Sequence, residues 1–206
     1  MSEVSSSTHA SATSAVDREA SEAGSGPSLL GRVAMLWGVA GVVAILVMPL
    51  MRLAPLALEA MRDGLSGGQW TVLVAWVVVN AHAEGYRGFH RRFSPKAVAR
   101  AQFLARNPRP VWVLLAPLFC MSLFHASRRG MMVSRILVVA IFVLVITVRQ
   151  LDQPWRGIID AGVVVGLGLG LTSLLYYFVR SLAGHAPPIA PDLPESSPSP
   201  EPPDSA

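Results

Sequence analysis

Residues 70–92, WTVLVAWVVVNAHAEGYRGFHRR, combine an apolar run and a polar cluster in one uninterrupted stretch. The stretch opens with apolar and weakly polar side chains, continues through Asn80, His82 and Glu84, and ends in basic residues. At about 1.5 Å of rise per residue, a helix that begins at Trp70 places Asn80 about 15 Å into a hydrocarbon layer roughly 30 Å thick. The stretch therefore predicts a transmembrane helix that carries polar groups inside the membrane.

The composition of the whole chain also indicates a membrane protein. Of its 206 residues, 52% are hydrophobic and 15% are charged, whereas about 25% charged residues are typical of soluble domains. The formal net charge is +4, but the chain carries no nucleic-acid-binding motif, and its basic residues border apolar segments. We therefore expect anionic lipid headgroups, and no nucleic acid, as partners.

The apolar runs predict an all-α, polytopic integral membrane helix bundle with disordered termini. The run at 110–126 carries Pro117 at its centre, so it forms either a kinked span or a re-entrant segment that leaves four spans. The distribution of basic residues favours four spans, whereas hydropathy favours five, and we predict five. The predicted transmembrane domain covers residues 29–183, between tails at 1–28 and 184–206, with spans at about 32–51, 70–90, 110–126, 131–149 and 155–179.

The loop at 87–109 holds seven of the 17 basic residues, which predicts a cytoplasmic location. Both span counts then leave the N-terminus in the cytoplasm. Sixteen arginines against one lysine suggest a GC-rich, bacterial coding sequence, so we expect the cytoplasmic (inner) membrane of a bacterium. Within residues 91–109, a basic amphipathic pattern predicts an interfacial helix. The predicted contacts with anionic lipid are Arg91, Arg92, Lys96 and Arg100.

Gly162, Gly166 and Gly170 form two overlapping GxxxG steps in the last predicted span. Small residues four positions apart share one helix face and allow another helix to approach closely. We expect this face to pack tightly against a helix, and it is the predicted contact surface for a membrane-protein partner or a second copy of the chain.

The polar cluster of the second span allows two interpretations. In an α-helix Asn80, Glu84 and Arg87 share one face, and His82 lies roughly opposite. Glu84 and Arg87 could form an ion pair that orients the helix, or Glu84, His82 and Asn80 could line a path for protons or another small solute. The sequence carries no pattern typical of a metal site, so we predict no metal and no cofactor.

The common catalytic motifs do not occur in the sequence, so an enzyme is the less favoured class. We expect a small polytopic membrane protein that acts as a non-catalytic scaffold or accessory subunit. The first alternative is a proton-coupled or other small-solute transporter that uses Glu84, His82 and Asn80. The second alternative is an interfacial enzyme that acts on a lipid.

Overall fold

The computed structural model describes residues 28–191 and 193, and these residues form helices and connecting turns without a β-strand. The described part is therefore all-α, as predicted. Most of the two tails for which disorder is predicted lies outside the described residues. The helices are α1 (Leu29–Arg62), α2 (Gly67–Asn80), the π-helix π1 (Ala81–Phe93), α3 (Ser94–Arg106), α4 (Pro110–Leu114), α5 (Ala116–Cys120), α6 (Arg128–Val148) and α7 (Trp155–Leu182).

Local capping determines where the first two helices begin. Ser28 Oγ accepts a hydrogen bond from the backbone N–H of Gly31 at 3.1 Å. Before α2, Ser66 and Gln69 form a capping box, in which each side chain accepts the backbone N–H of the other residue. The turn between these helices includes Gly64 at φ = +91°, a conformation that favours glycine. One helix therefore ends and the next begins within a short turn.

Three helices of the described residues are long and apolar enough to cross a membrane: Leu29–Arg62, Gly130–Val148 and Trp155–Leu182. The 14 residues of α2 are fewer than the roughly 20 that a span requires, and the more polar π1 follows them. The prediction of an all-helical chain with apolar helices that can span a membrane is confirmed. The prediction of five spans is not confirmed.

The helices α2, π1 and α3 follow one another without a break, because Asn80 and Ser94 at the two junctions keep helical backbone angles. In π1 the backbone hydrogen bonds reach one residue further than in an α-helix, as between the N–H of Ser94 and the carbonyl of Phe89. Gly85 and Gly88, which have low α-helix propensity, lie in this segment. We call residues 67–106 the rod, a continuous helix with a widened middle.

The last part of the rod, α3, lies inside the bundle. Val98 and Ala101 belong to a buried cluster with Val42 of α1 and Leu174 of α7. Leu104 belongs to a second cluster that includes residues of α1 and α5. The structure differs here from the interfacial helix predicted within residues 91–109. The alanine-rich sequence of α3 presents small side chains on several faces, so neighbouring elements pack around it.

The predicted third span, residues 110–126, is not a single helix. It forms α4 and α5, of five residues each, and then a turn in which Ser122 and His125 have φ values of 59° and 48°. Pro117 lies in the first turn of α5, where it cannot continue a helix from α4. The rings of Trp112 and His125, near the two ends of the segment, lie 4.4 Å apart between centroids. The segment therefore folds back on itself, and we call it the hairpin.

The remaining long helices differ in how they pack. In α7, 44% of the apolar stretch is buried, and the helix contacts α1, α2, π1 and α3. In α6, 6% of the corresponding stretch is buried. A hydrogen bond from Ser134 Oγ to the carbonyl of Met121, at 3.1 Å, links α6 to the hairpin. The bundle is therefore built around α7, and α6 stands apart from it.

Candidate functional site

The glycine face of α7 lies against the rod of the same chain. A Cβ atom on Gly162 would come within 2.5 Å of Trp76 Nε1, and a Cβ atom on Gly170 would come within 2.5 Å of the Phe89 ring. Gly166 is less tightly enclosed, with 3.0 Å to the nearest side-chain atom. All three glycines are buried. Because α2 and π1 cover this face, it is not the exposed contact surface that the sequence predicted for a partner or a second copy.

The π-helix changes which residues face α7. The α-helical pattern placed Asn80, Glu84 and Arg87 on one face. The residues that lie against the successive glycines are instead Asn80, Glu84 and Phe89, at spacings of four and five. The wider turns of π1 explain this spacing. The structure therefore brings Asn80 and Glu84 to α7, whereas Arg87 is exposed and lines a cavity with other arginines.

Asn80 lies inside the helix contact and donates one hydrogen bond to backbone. Its side chain is 4% exposed, and its Nδ2 donates to the carbonyl of Trp76 at 2.9 Å. The indole Nε1 of Trp76 in turn donates to the carbonyl of Ile159 in α7 at 3.2 Å. Trp76 therefore connects the rod to α7, whereas the hydrogen bond of Asn80 lies within the rod.

Glu84 lies beside Gly166 but remains exposed. Among the described residues no ion pair joins Glu84 to Arg87, although the sequence allowed one. Nor is His82 grouped with Glu84 by a described contact, since His82 belongs to a separate column of rings. The described contacts therefore place Asn80 and Glu84 against α7, and His82 in the column of rings.

The column of rings runs along π1 and ends at α7. The ring centroids of His82 and Tyr86 are 6.0 Å apart, and those of Tyr86 and His90 are 5.7 Å apart. His90 then reaches α7, where its ring lies 5.4 Å from that of Tyr177 and its Nδ1 is 2.9 Å from Ser173 Oγ. Sequence reasoning missed the α7 partners of His90, because they are 83 or more positions away and no local motif marks them.

Arg87, Arg91 and Arg92 line one cavity of about 250 Å³ on the exposed side of π1. In the part of the chain that the structure describes, none of the three forms an ion pair with a carboxylate. We call these residues the arginine cluster. It adjoins His90, so it lies at the level where π1 meets Tyr177 near the end of α7.

Arg100 lies in the interior, with 0% of its surface exposed. Its Nε donates to the carbonyl of Phe119 at 2.6 Å, and its Nη2 donates to the carbonyls of Phe124 and His125, both at 3.0 Å. The sequence predicted that Arg100 contacts anionic lipid, but the side chain is buried. Carbonyl oxygens of the hairpin, and not lipid phosphates, accept its hydrogen bonds. Lys96, the other predicted lipid contact in α3, is half-buried.

A buried carboxylate near the rod belongs to α7. Asp160 is 3% exposed, and its Oδ2 lies 3.8 Å from Nε of Arg156, one turn earlier. Glu84 lies at the level of Gly166, about 9 Å further along the helix, so the two carboxylates do not share a site. Within the described residues, no group of three or more His, Cys, Asp or Glu side chains is placed to hold a metal ion.

No protein-family model matches the chain, and no curated protein or solved structure matches it significantly.

Proposed function

We propose that the protein is a non-catalytic membrane scaffold or accessory subunit that acts by binding. This function is supported by the hydrogen bonds that polar side chains of the rod form within the chain. Asn80, His90 and Arg100 all form hydrogen bonds within the chain. A transport path or a catalytic site requires polar groups that face a cavity or water. His90 and Arg100 instead link the rod to other elements, and Asn80 bonds within the rod. A partner is then expected to bind the outer surface of the bundle.

The proposal includes four membrane crossings, by α1, the first two parts of the rod, α6 and α7. The closeness of Trp112 and His125 supports a hairpin that enters and leaves on one side. On that side Gln102 Nε2 donates to Ser181 Oγ at 2.7 Å, and Gly31 lies against the last turn of α3. The start of α1, the end of the rod and the end of α7 therefore belong to one end of the bundle.

The same end is rich in arginine. Arg32 and Arg106 line a cavity of about 390 Å³ there, and the arginine cluster lies along the rod towards that end. Under the positive-inside rule this end faces the cytoplasm, which gives both ends of the described chain a cytoplasmic location. The arginine-rich composition supports a bacterial inner membrane as the location.

The function is tested by purifying the full chain from its native membranes, at endogenous expression and in mild detergent, and measuring the intact mass by native mass spectrometry. A foreign subunit at fixed stoichiometry is the expected result. The chain is then reconstituted alone into vesicles, and proton flux is measured for wild type, Glu84→Gln and the exposed control Glu59→Gln. A flux that only Glu84→Gln abolishes, without a foreign subunit, would identify a transporter and overturn the proposal.

A further inference from the structure

We infer that Arg87, Arg91 and Arg92 form a binding site for the phosphate group of an anionic phospholipid. The inference rests on the proposed position of π1 in the membrane. It does not depend on whether the protein has a partner subunit.

The π-helical geometry gathers the three side chains. In an α-helix, with about 3.6 residues per turn, Arg92 would lie about 140° around the helix axis from Arg87 and point away from it. In a π-helix the backbone hydrogen bonds join residues five apart, so Arg87 and Arg92 stand one turn apart on the same side. Arg91, four residues after Arg87, also faces this side, and all three line the same cavity of about 250 Å³.

The charge of the arginine cluster is not balanced within the described residues. None of its three side chains pairs with a carboxylate there. The nearest acidic residue along π1 is Glu84, which lies against Gly166 of α7. Three uncompensated guanidinium groups around one cavity create a strongly positive site, which favours an anion.

The depth of the arginine cluster identifies the source of the anion. His90, adjacent in sequence to Arg91, contacts the rings of Tyr176 and Tyr177, at 6.3 and 5.4 Å. These tyrosines lie 21 and 22 residues after Trp155 in the same helix, a separation of about 32 Å. Tyrosine and tryptophan at such a separation mark the two membrane–water interfaces. The arginine cluster therefore lies at headgroup depth, where phospholipid phosphates are concentrated.

The chemistry of arginine suits this ligand. A guanidinium group presents planar, paired N–H donors that match two oxygens of a phosphate. In a zwitterionic lipid the headgroup cation offsets the phosphate charge, whereas in phosphatidylglycerol the charge is not offset. The site is thus expected to select the anionic lipid.

The experiment titrates the full-length protein in detergent with phosphatidylglycerol or phosphatidylcholine of identical acyl chains and counts bound lipid by native mass spectrometry. The variants are R91Q/R92Q and the single change Arg87→Gln. The matched control, R62Q/R149Q, removes two exposed arginines at the other end of the bundle. The unfolding temperature of each variant checks that it folds, and inorganic phosphate is added as a soluble competitor.

We expect wild type and R62Q/R149Q to prefer phosphatidylglycerol by at least about tenfold, from roughly fivefold per arginine near an anionic surface. R91Q/R92Q is expected to bind it roughly thirtyfold more weakly, and Arg87→Gln roughly fivefold. Unchanged binding in the cluster variants, or an equal loss in R62Q/R149Q, would overturn the inference. Displacement of the lipid by millimolar inorganic phosphate would assign the site to a soluble anion instead. Recovery of a foreign subunit is a separate measurement, so either proposal can fail alone.

Discussion

Arg100 donates hydrogen bonds to backbone carbonyls near the end of α5 and in the turn after it. The regular part of the hairpin ends at Cys120, and the carbonyls of Phe124 and His125 follow it in the turn before α6. Donors of one guanidinium group reach both of these carbonyls as well as that of Phe119. An unpaired carbonyl in a low-dielectric interior is strongly destabilising. A charged side chain is therefore buried at this position because it can serve several acceptors at once.

Replacement of Arg100 by lysine tests this role. An ammonium group cannot match the spread of the three carbonyls, so Arg100→Lys is expected to lower the free energy of unfolding by about 2–3 kcal/mol. Thermal unfolding in mild detergent measures the effect. Arg106→Lys, an exposed change of the same kind in the same helix, is the control and is expected to leave the unfolding temperature unchanged. Equal stability of Arg100→Lys and wild type would show that the hairpin does not depend on the guanidinium group.

Among the elements, π1 and the hairpin show where sequence reasoning fails. An α-helical pattern places Arg87 with Asn80, but the wider turns of π1 turn Arg87 towards the other arginines. No residue pattern used in the sequence analysis predicts a π-helix, so the residues of π1 were placed on α-helical faces. The hairpin has the length and hydropathy of a short transmembrane span. Only the contact between Trp112 and His125 distinguishes a hairpin from such a span.

The contact between π1 and α7 yields a prediction at this scale. Gly170→Ala is expected to lower the free energy of unfolding by about 1–3 kcal/mol, because the new methyl group would meet the Phe89 ring. Gly168→Ala is the control, since a Cβ atom there meets no atom within 4 Å. The free energy of unfolding of Gly168→Ala is expected to be unchanged or to rise by up to about 1 kcal/mol, because alanine has the higher helix propensity. The unfolding of both variants is measured in the same detergent. Equal stabilities of Gly170→Ala and Gly168→Ala would contradict a tight contact between Gly170 and Phe89.

For the molecule as a whole, the sequence was sufficient to predict a helical chain with helices long and apolar enough to cross a membrane. The apolar stretches within α1, α6 and α7 are long enough to be recognised from sequence alone, and the structure has a helix at each. The number of crossings was not predictable, since it depends on how a proline-containing run of 17 residues folds. The binding surface was assigned to the glycines, which the chain itself covers, because no sequence pattern tells an internal helix contact from an external one.

The four-crossing topology is tested by single introduced cysteines in intact cells. Cys120 is 2% exposed, so its background labelling is expected to be low. A membrane-impermeant maleimide is expected to label cysteines at Asp63 and Gln150 from outside, but to label those at Ser28 and His185 only after the membrane is opened. With five crossings the cysteine at His185 would instead be labelled in intact cells.

The sparse packing of α6 affects which substitutions its sequence can tolerate. Within this chain the side chains of α6 meet few others, so the fold is expected to tolerate exchanges among valine, isoleucine and leucine along α6. In α7, by contrast, Gly162 and Gly170 leave no room for a larger residue. A library that samples both helices and is sorted for membrane expression is expected to retain nearly all aliphatic exchanges in α6, but few replacements of these two glycines. Loss of many such exchanges in α6 would instead indicate that another protein covers this helix.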